Sequence, residues 1–151
     1  MTYTVVALLR CKEGIPSSQF RTYYDTVHLP LLKSLVGSSM PLTHTRYYVS
    51  RKTATVLKSA NSMTSTTTLE RAMASSEDLY PTVMYRGSPS DVAFDSVTVM
   101  TWEDKESWDT FLKILRSKGV AEKIGKDEDN FLDRERKVVF SIAESITTMR
   151  E

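Results

Sequence analysis

The chain contains two histidines, His28 and His44, and each stands where an imidazole could move protons. His28 follows Tyr24 by one helical turn and precedes Leu32 by another, at the border of an apolar helical face. A neutral imidazole is the side chain best matched to proton transfer near pH 7, and a phenol one turn away can donate to an oxygen on which charge develops. The same position also suits a packing or capping histidine. His44 alternates with Thr45 and Tyr47 so that His44, Arg46 and Tyr48 share one face of a strand. If that face lines a cavity, the three form a proton-relay cluster; if it meets solvent, they are surface residues, because a register shift of one residue exchanges the faces. Asp95 opens an apolar run, where a buried carboxylate could orient His28 or act as a base, and where a turn or cap residue is equally at home. Tyr24 joins the catalytic candidates His28, Asp95 and His44, and Arg46, Tyr47, Tyr48, Tyr85 and Trp102 are the candidates for holding a substrate.

Other chemistries lack their residues. There is no His-x-x-x-His pair, no cysteine cluster and no glycine-rich phosphate loop, and the glycines at 14, 37, 87, 119 and 125 all fall at turns. No metal site and no cofactor are therefore expected. A Gly-x-Ser-x-Gly elbow is absent, which disfavours a serine hydrolase, and the single Cys11 has no histidine beside it. Acid/base work with side chains remains.

The composition sets the frame for these groups. Twenty basic and nineteen acidic residues in 151 give a net charge of +1 with no block of either sign, so nucleic acid is not an expected partner. The apolar stretch Val5 to Leu9 is far shorter than the roughly 20 residues of a membrane span and has no basic residue before it. With a single cysteine, the chain reads as a soluble cytoplasmic protein that needs no disulfide.

The periodicities give one α+β domain over residues 1–151. Tyr3 to Arg10 is apolar and β-branched, as in a strand covered on both faces. Ser17 is a candidate N-cap for a helix carrying Phe20, Tyr23, Tyr24, Val27, Leu31 and Leu35 up to Gly37, and Pro30 should kink or restart it near His28. Leu42 to Arg51 reads as the second strand. Thr53 to Thr68 is rich in serine and threonine and reads as a loop, with a short strand at Thr55 to Lys58 and a brief helix at Leu69 to Ala74 as further options; the whole insertion spans about 53–89. Val92 to Trp102 is the third strand, and Asp104 caps a helix carrying Trp108, Phe111, Leu112 and Leu115 that ends at Gly119. The charged stretch Ala121 to Glu135 crosses to a fourth strand, Val138 to Ile146. The order βαββαβ is that of a ferredoxin-like plait, with helices on one sheet face and the other left to be covered by a second copy of the chain.

Leu9-Arg10-Cys11-Lys12-Glu13-Gly14, the positions Phe20, Tyr24, His28, Pro30 and Leu31, and Phe94-Asp95-Ser96-Val97 running into Trp102-Glu103-Asp104 together resemble the signature of the EthD-domain family. The resemblance covers both ends of the chain and leaves the Ser/Thr-rich middle unmatched. It implies a dimeric α+β barrel and a place among small cofactor-free lyases, isomerases, decarboxylases and cyclases of polyketide and aromatic metabolism. The expectation is a lyase or cyclase that dehydrates, cyclises or isomerises a hydrophobic polyketide-like or aromatic molecule in secondary-metabolite biosynthesis by acid/base catalysis. A decarboxylase of the same substrate class and a non-catalytic dimer that binds a small molecule are the alternatives.

Overall fold

In the computed structural model, which describes residues 1–52 and 81–151, the apolar run at the N-terminus forms strand β1, Tyr3–Leu9. Its β-branched residues suit a pleated, covered surface, and Val5, Val6 and Ala7 are buried although they point to both faces. Strand β2, Thr43–Tyr48, β3, Ser96–Trp102, and β4, Val138–Ile142, complete an antiparallel sheet in the order β2-β3-β1-β4. The expected plait is present. Val5 lies opposite Met100 and Ser141, and His44 lies opposite Met100 on the other side of β3. Tyr3, Val5, Ala7 and Leu9 thus share a face with Ser96, Thr98, Met100 and Trp102, and with His44, Arg46 and Tyr48.

The helices cover this face. Helix α1, Ser17–Tyr23, continues through a π-helical turn, Tyr24–His28, into α2, Leu29–Val36. Pro30 has no N–H to give the Thr26 carbonyl, and the Thr26 hydroxyl bonds back to the Thr22 carbonyl at 2.7 Å, so the regular ladder is interrupted from both sides. The expected break near His28 takes the form of a widened turn rather than an end. Ser17 does not cap this helix: Pro16, in extended backbone, occupies the cap position and its carbonyl takes the Phe20 N–H at 3.0 Å. Gly37 stops the helix with φ +54°, a conformation few side chains tolerate.

Helix α3, Lys105–Arg116, starts at Asp104, whose carboxylate accepts the Ser107 N–H at 2.8 Å. Trp108 and Phe111 carry it onto Trp102, with ring centroids 4.8 and 5.0 Å away. Helix α4, Lys118–Glu128, corrects the sequence reading, which placed a stop at Gly119 and a crossing segment from Ala121. Gly119 lies inside α4, and the break falls instead at Ser117, whose extended backbone separates the two helices. Three strand ends are also shorter than expected. β2 ends at Tyr48, although the Val49 N–H still bonds to the Asp95 carbonyl; β3 begins only after a 3₁₀ turn, Pro89–Asp91; and β4 stops at Ile142, opposite Thr4, where β1 offers little further backbone to pair with. The expected loop, short strand and helix within 53–80 lie outside the described residues.

Candidate active site

The site forms where the π turn faces α4 on one side and β2 on the other. His28 is buried, and its Nδ1 meets Oδ2 of Asp127 at 2.7 Å. A carboxylate can only accept there, so the ring proton sits on Nδ1 and leaves Nε2 as the basic nitrogen. Nε2 has no hydrogen-bond partner among the described residues. The second carboxylate oxygen of Asp127 accepts the Tyr23 hydroxyl at 2.8 Å. Asp127 is itself buried, and beside it Glu128, also buried, is met by Lys137 at 2.5 Å and by Arg134 at 3.5 Å. Gly125 lets that arginine approach, since a Cβ there would stand 3.1 Å from its guanidinium.

Phe131 forms the floor. Its ring centroid lies 4.9 Å from Tyr23, 5.1 Å from His28, 5.7 Å from Phe20 and 5.8 Å from Tyr24. Tyr24 is 3% exposed, and burial pushes its phenol up to about 12, so it stays protonated. Its hydroxyl lies 3.0 Å from the Thr98 hydroxyl and 3.3 Å from Nε2 of His44. Burial, with the charges of Arg46 and His28 adding to it, lowers His44 to about 4 and keeps its ring neutral.

The polar face of β2 is turned inward, towards the helices, and not to solvent. Arg46 donates through Nε to Asp25 at 2.7 Å and Tyr48 donates to the same oxygen at 2.6 Å, while the Arg46 guanidinium lies 5.7 Å from the Tyr24 ring centre. Burial and the hydrogen bond to Asp25 raise the Tyr48 phenol well above its ordinary value. Past Tyr48 a cavity of about 350 Å³ opens, lined by Phe20, Arg21, Tyr48, Arg51 and Asp95 among others.

The structure thus brings His28, Tyr24, His44, Arg46 and Tyr48 into one neighbourhood. Asp95 is not the partner of His28. Its carboxylate accepts the Cys11 N–H at 2.7 Å and pairs with Arg51, which also donates to Thr82, so it ties together the ends of β1, β2 and β3. Tyr47 points to the opposite sheet face, Tyr85 is fully exposed, and Trp102 packs at the far end of the core against α3, its indole N–H on the Ser39 carbonyl. Asp127, Tyr23 and Asp25 are absent from the site candidates read from the sequence. One signal for Asp127 existed: Ile124, Asp127 or Glu128, and Phe131 follow helical spacing, with acids standing in an apolar stripe. Among the described residues no group of three or more His, Cys, Asp or Glu side chains is arranged to hold a metal ion, and no helix is long and apolar enough to cross a membrane.

A four-stranded antiparallel sheet with helices on one face, and a histidine–carboxylate pair between helices, defines an α+β protein of ferredoxin-like fold. More particularly, the chain belongs to the EthD-domain family, whose model matches residues 12–135. The fold is shared with an EthD-like protein from Ralstonia eutropha JMP134, at 17% sequence identity and a TM-score of 0.52, over 93% of this chain and 89% of that one. No curated protein matches the chain significantly. The family includes enzymes.

Proposed function

We propose that this chain is a cofactor-independent acid/base enzyme, a lyase or cyclase that dehydrates, cyclises or isomerises a polyketide-like or aromatic small molecule in secondary-metabolite biosynthesis. It acts in the cytoplasm as a homodimer. One observation carries the reading: a buried imidazole whose Nδ1 is held by Asp127 at 2.7 Å and whose Nε2 has no partner among the described residues. A carboxylate behind an imidazole fixes its tautomer and steadies the imidazolium that forms when the other nitrogen takes a proton.

The reaction follows from that geometry. His28 Nε2 removes a proton from the carbon next to a substrate carbonyl, and the electron pair moves onto the carbonyl oxygen to give an enolate. Tyr24, whose phenol stays protonated, is a donor beside His28, the two ring centres lying 5.4 Å apart. The imidazolium then returns its proton, either to a departing β-hydroxyl, which leaves as water, or to another carbon, which isomerises the substrate. Both routes restore His28. The aromatic cluster of Phe20, Phe131 and Tyr24 packs beside the His28 ring and keeps its surroundings apolar.

The test is deuterium wash-in from heavy water at the carbon next to the carbonyl, followed by NMR with hydroxylated anthrones and β-hydroxy naphthalenones. Wild type should accelerate exchange, and His28→Gln should lower the rate per folded molecule by roughly 10²- to 10⁴-fold. A rate within about threefold of wild type ends the assignment of His28 as base. Binding of these compounds with no exchange at all would favour a carrier.

A further inference from the structure

Tyr23 and His28 are five residues apart, a spacing that sets side chains about 140° apart around a regular α-helix. The π turn removes that separation. The Leu29 N–H bonds to the carbonyl of Tyr24, five residues back, and in a turn bonded this way residues five apart stand nearly above one another. Both side chains therefore reach one carboxylate: the Tyr23 hydroxyl donates to Oδ1 of Asp127 at 2.8 Å, and His28 Nδ1 donates to Oδ2 at 2.7 Å. Asn130 Nδ2 lies 3.1 Å from the Tyr23 oxygen and 3.1 Å from the Lys126 carbonyl, so the Tyr23 oxygen accepts from the amide and its own proton is directed at Asp127. Burial and the hydrogen bond to Asp127 raise the Tyr23 phenol above its ordinary value, which keeps it a donor. Phe131 lies against both the Tyr23 and the His28 rings.

We infer that Tyr23 is a positioning residue, which holds the Asp127 carboxylate in the rotamer that keeps the His28 proton on Nδ1 and leaves Nε2 bare. The inference rests on the reading of His28 as the base for its catalytic meaning, but the arrangement itself can be tested without a substrate. A carboxylate anchored at both oxygens cannot swing away from the imidazole; one anchored at a single oxygen can, and the ring proton is then free to move to Nε2.

The experiment is a long-range ¹H–¹⁵N spectrum of the histidine rings in the full chain, recorded in mildly alkaline buffer. Wild type should show His28 as the Nδ1–H tautomer alone, and Tyr23→Phe should show a mixture, the tautomer ratio changing by roughly 10- to 100-fold, as for loss of one hydrogen bond to a charged group. Phenylalanine keeps the stack on Phe131, so the fold should persist. If Tyr23→Phe fails to fold, Asn130→Ala, at an exposed position, takes its place and should move the ratio in the same direction by a smaller factor. A Tyr23→Phe spectrum identical to wild type, or a wild type already mixed, overturns the inference. Its failure is distinct from that of the base assignment: unchanged exchange in His28→Gln with a Tyr23-dependent tautomer would remove the base and leave the positioning intact.

Discussion

His44 and His28 share one aromatic nest in opposite electrostatic circumstances. His28 has a carboxylate against one nitrogen, whereas His44 has a phenol, a guanidinium nearby and a buried Nδ1 with no partner among the described residues. Burial is the largest cause of its depressed basicity, and its folded value of about 4 lies below the 6.5 of an unperturbed histidine. Between those values the unfolded chain binds the proton that the folded one refuses. The stability His44 contributes is therefore complete above about pH 6.5 and is lost as the pH falls towards 4, on the order of 2–3 kcal/mol across the window. Melting curves at pH 7, 5.5 and 4.5 should descend more steeply for wild type than for His44→Gln; parallel descents would show that the ring is not held neutral. Asp95 has a different role. Asp95→Ala should cost about 3–5 kcal/mol by urea unfolding, because it leaves the largely buried Arg51 guanidinium without its carboxylate. The residues that could be read from the sequence, His28, Tyr24, His44, Arg46 and Tyr48, declared themselves by chemical type and by spacing along one element. Asp127 did neither, since an acid within Lys-Asp-Glu-Asp-Asn looks solvated until the chain is folded around it.

The same contrast holds for the elements. β1, the first helix and α3 carry clean apolar periods and were readable to within a residue or two, whereas α4 was not, because it contains Gly119 and Gly125 and its buried face is made partly of Asp127 and Glu128. Such a helix is stabilised by what it packs against and pairs with, and periodicity alone under-reports it. The break in the first helix was legible from Pro30, but its widening into a π turn was not. A π turn is what one extra residue leaves in a regular helix. Deleting Thr26, whose exposed side chain bonds back to Thr22, should remove the extra residue of the π turn, leave only the missing Pro30 donor, and put His28 four residues from Tyr23, still on one face. The shortened chain should fold, with slightly higher helical circular dichroism and a Tm within about 5 °C of wild type. Loss of cooperative melting would show that the turn supports the fold itself.

At the scale of the whole molecule, the plait leaves the outer sheet face uncovered. Val138 and Phe140 lie opposite Leu8 and Val6 on that face and are 50% and 44% exposed, and Tyr47, opposite Val97, is 59% exposed. Light scattering should give about twice the 17.1 kDa chain mass, and Val99→Lys with Phe140→Lys should shift it to one. A stable wild-type monomer at micromolar concentration would sink the dimer. The order of strands was readable from the order of elements, and the uncovered outer face is the ground on which the sequence reading expects a second copy of the chain. The strand order also governs how the molecule is born. β1 is made first, yet Leu9 can meet Ser96, and Leu8 can meet Val138, only after the chain between them has been synthesised. A nascent chain must carry its most apolar strand unpaired through most of translation, exposed to chaperones and to other nascent copies. The sheet is completed last at its β4 edge, and truncating the messenger before β4 should yield a chain that binds chaperone and never acquires protease resistance.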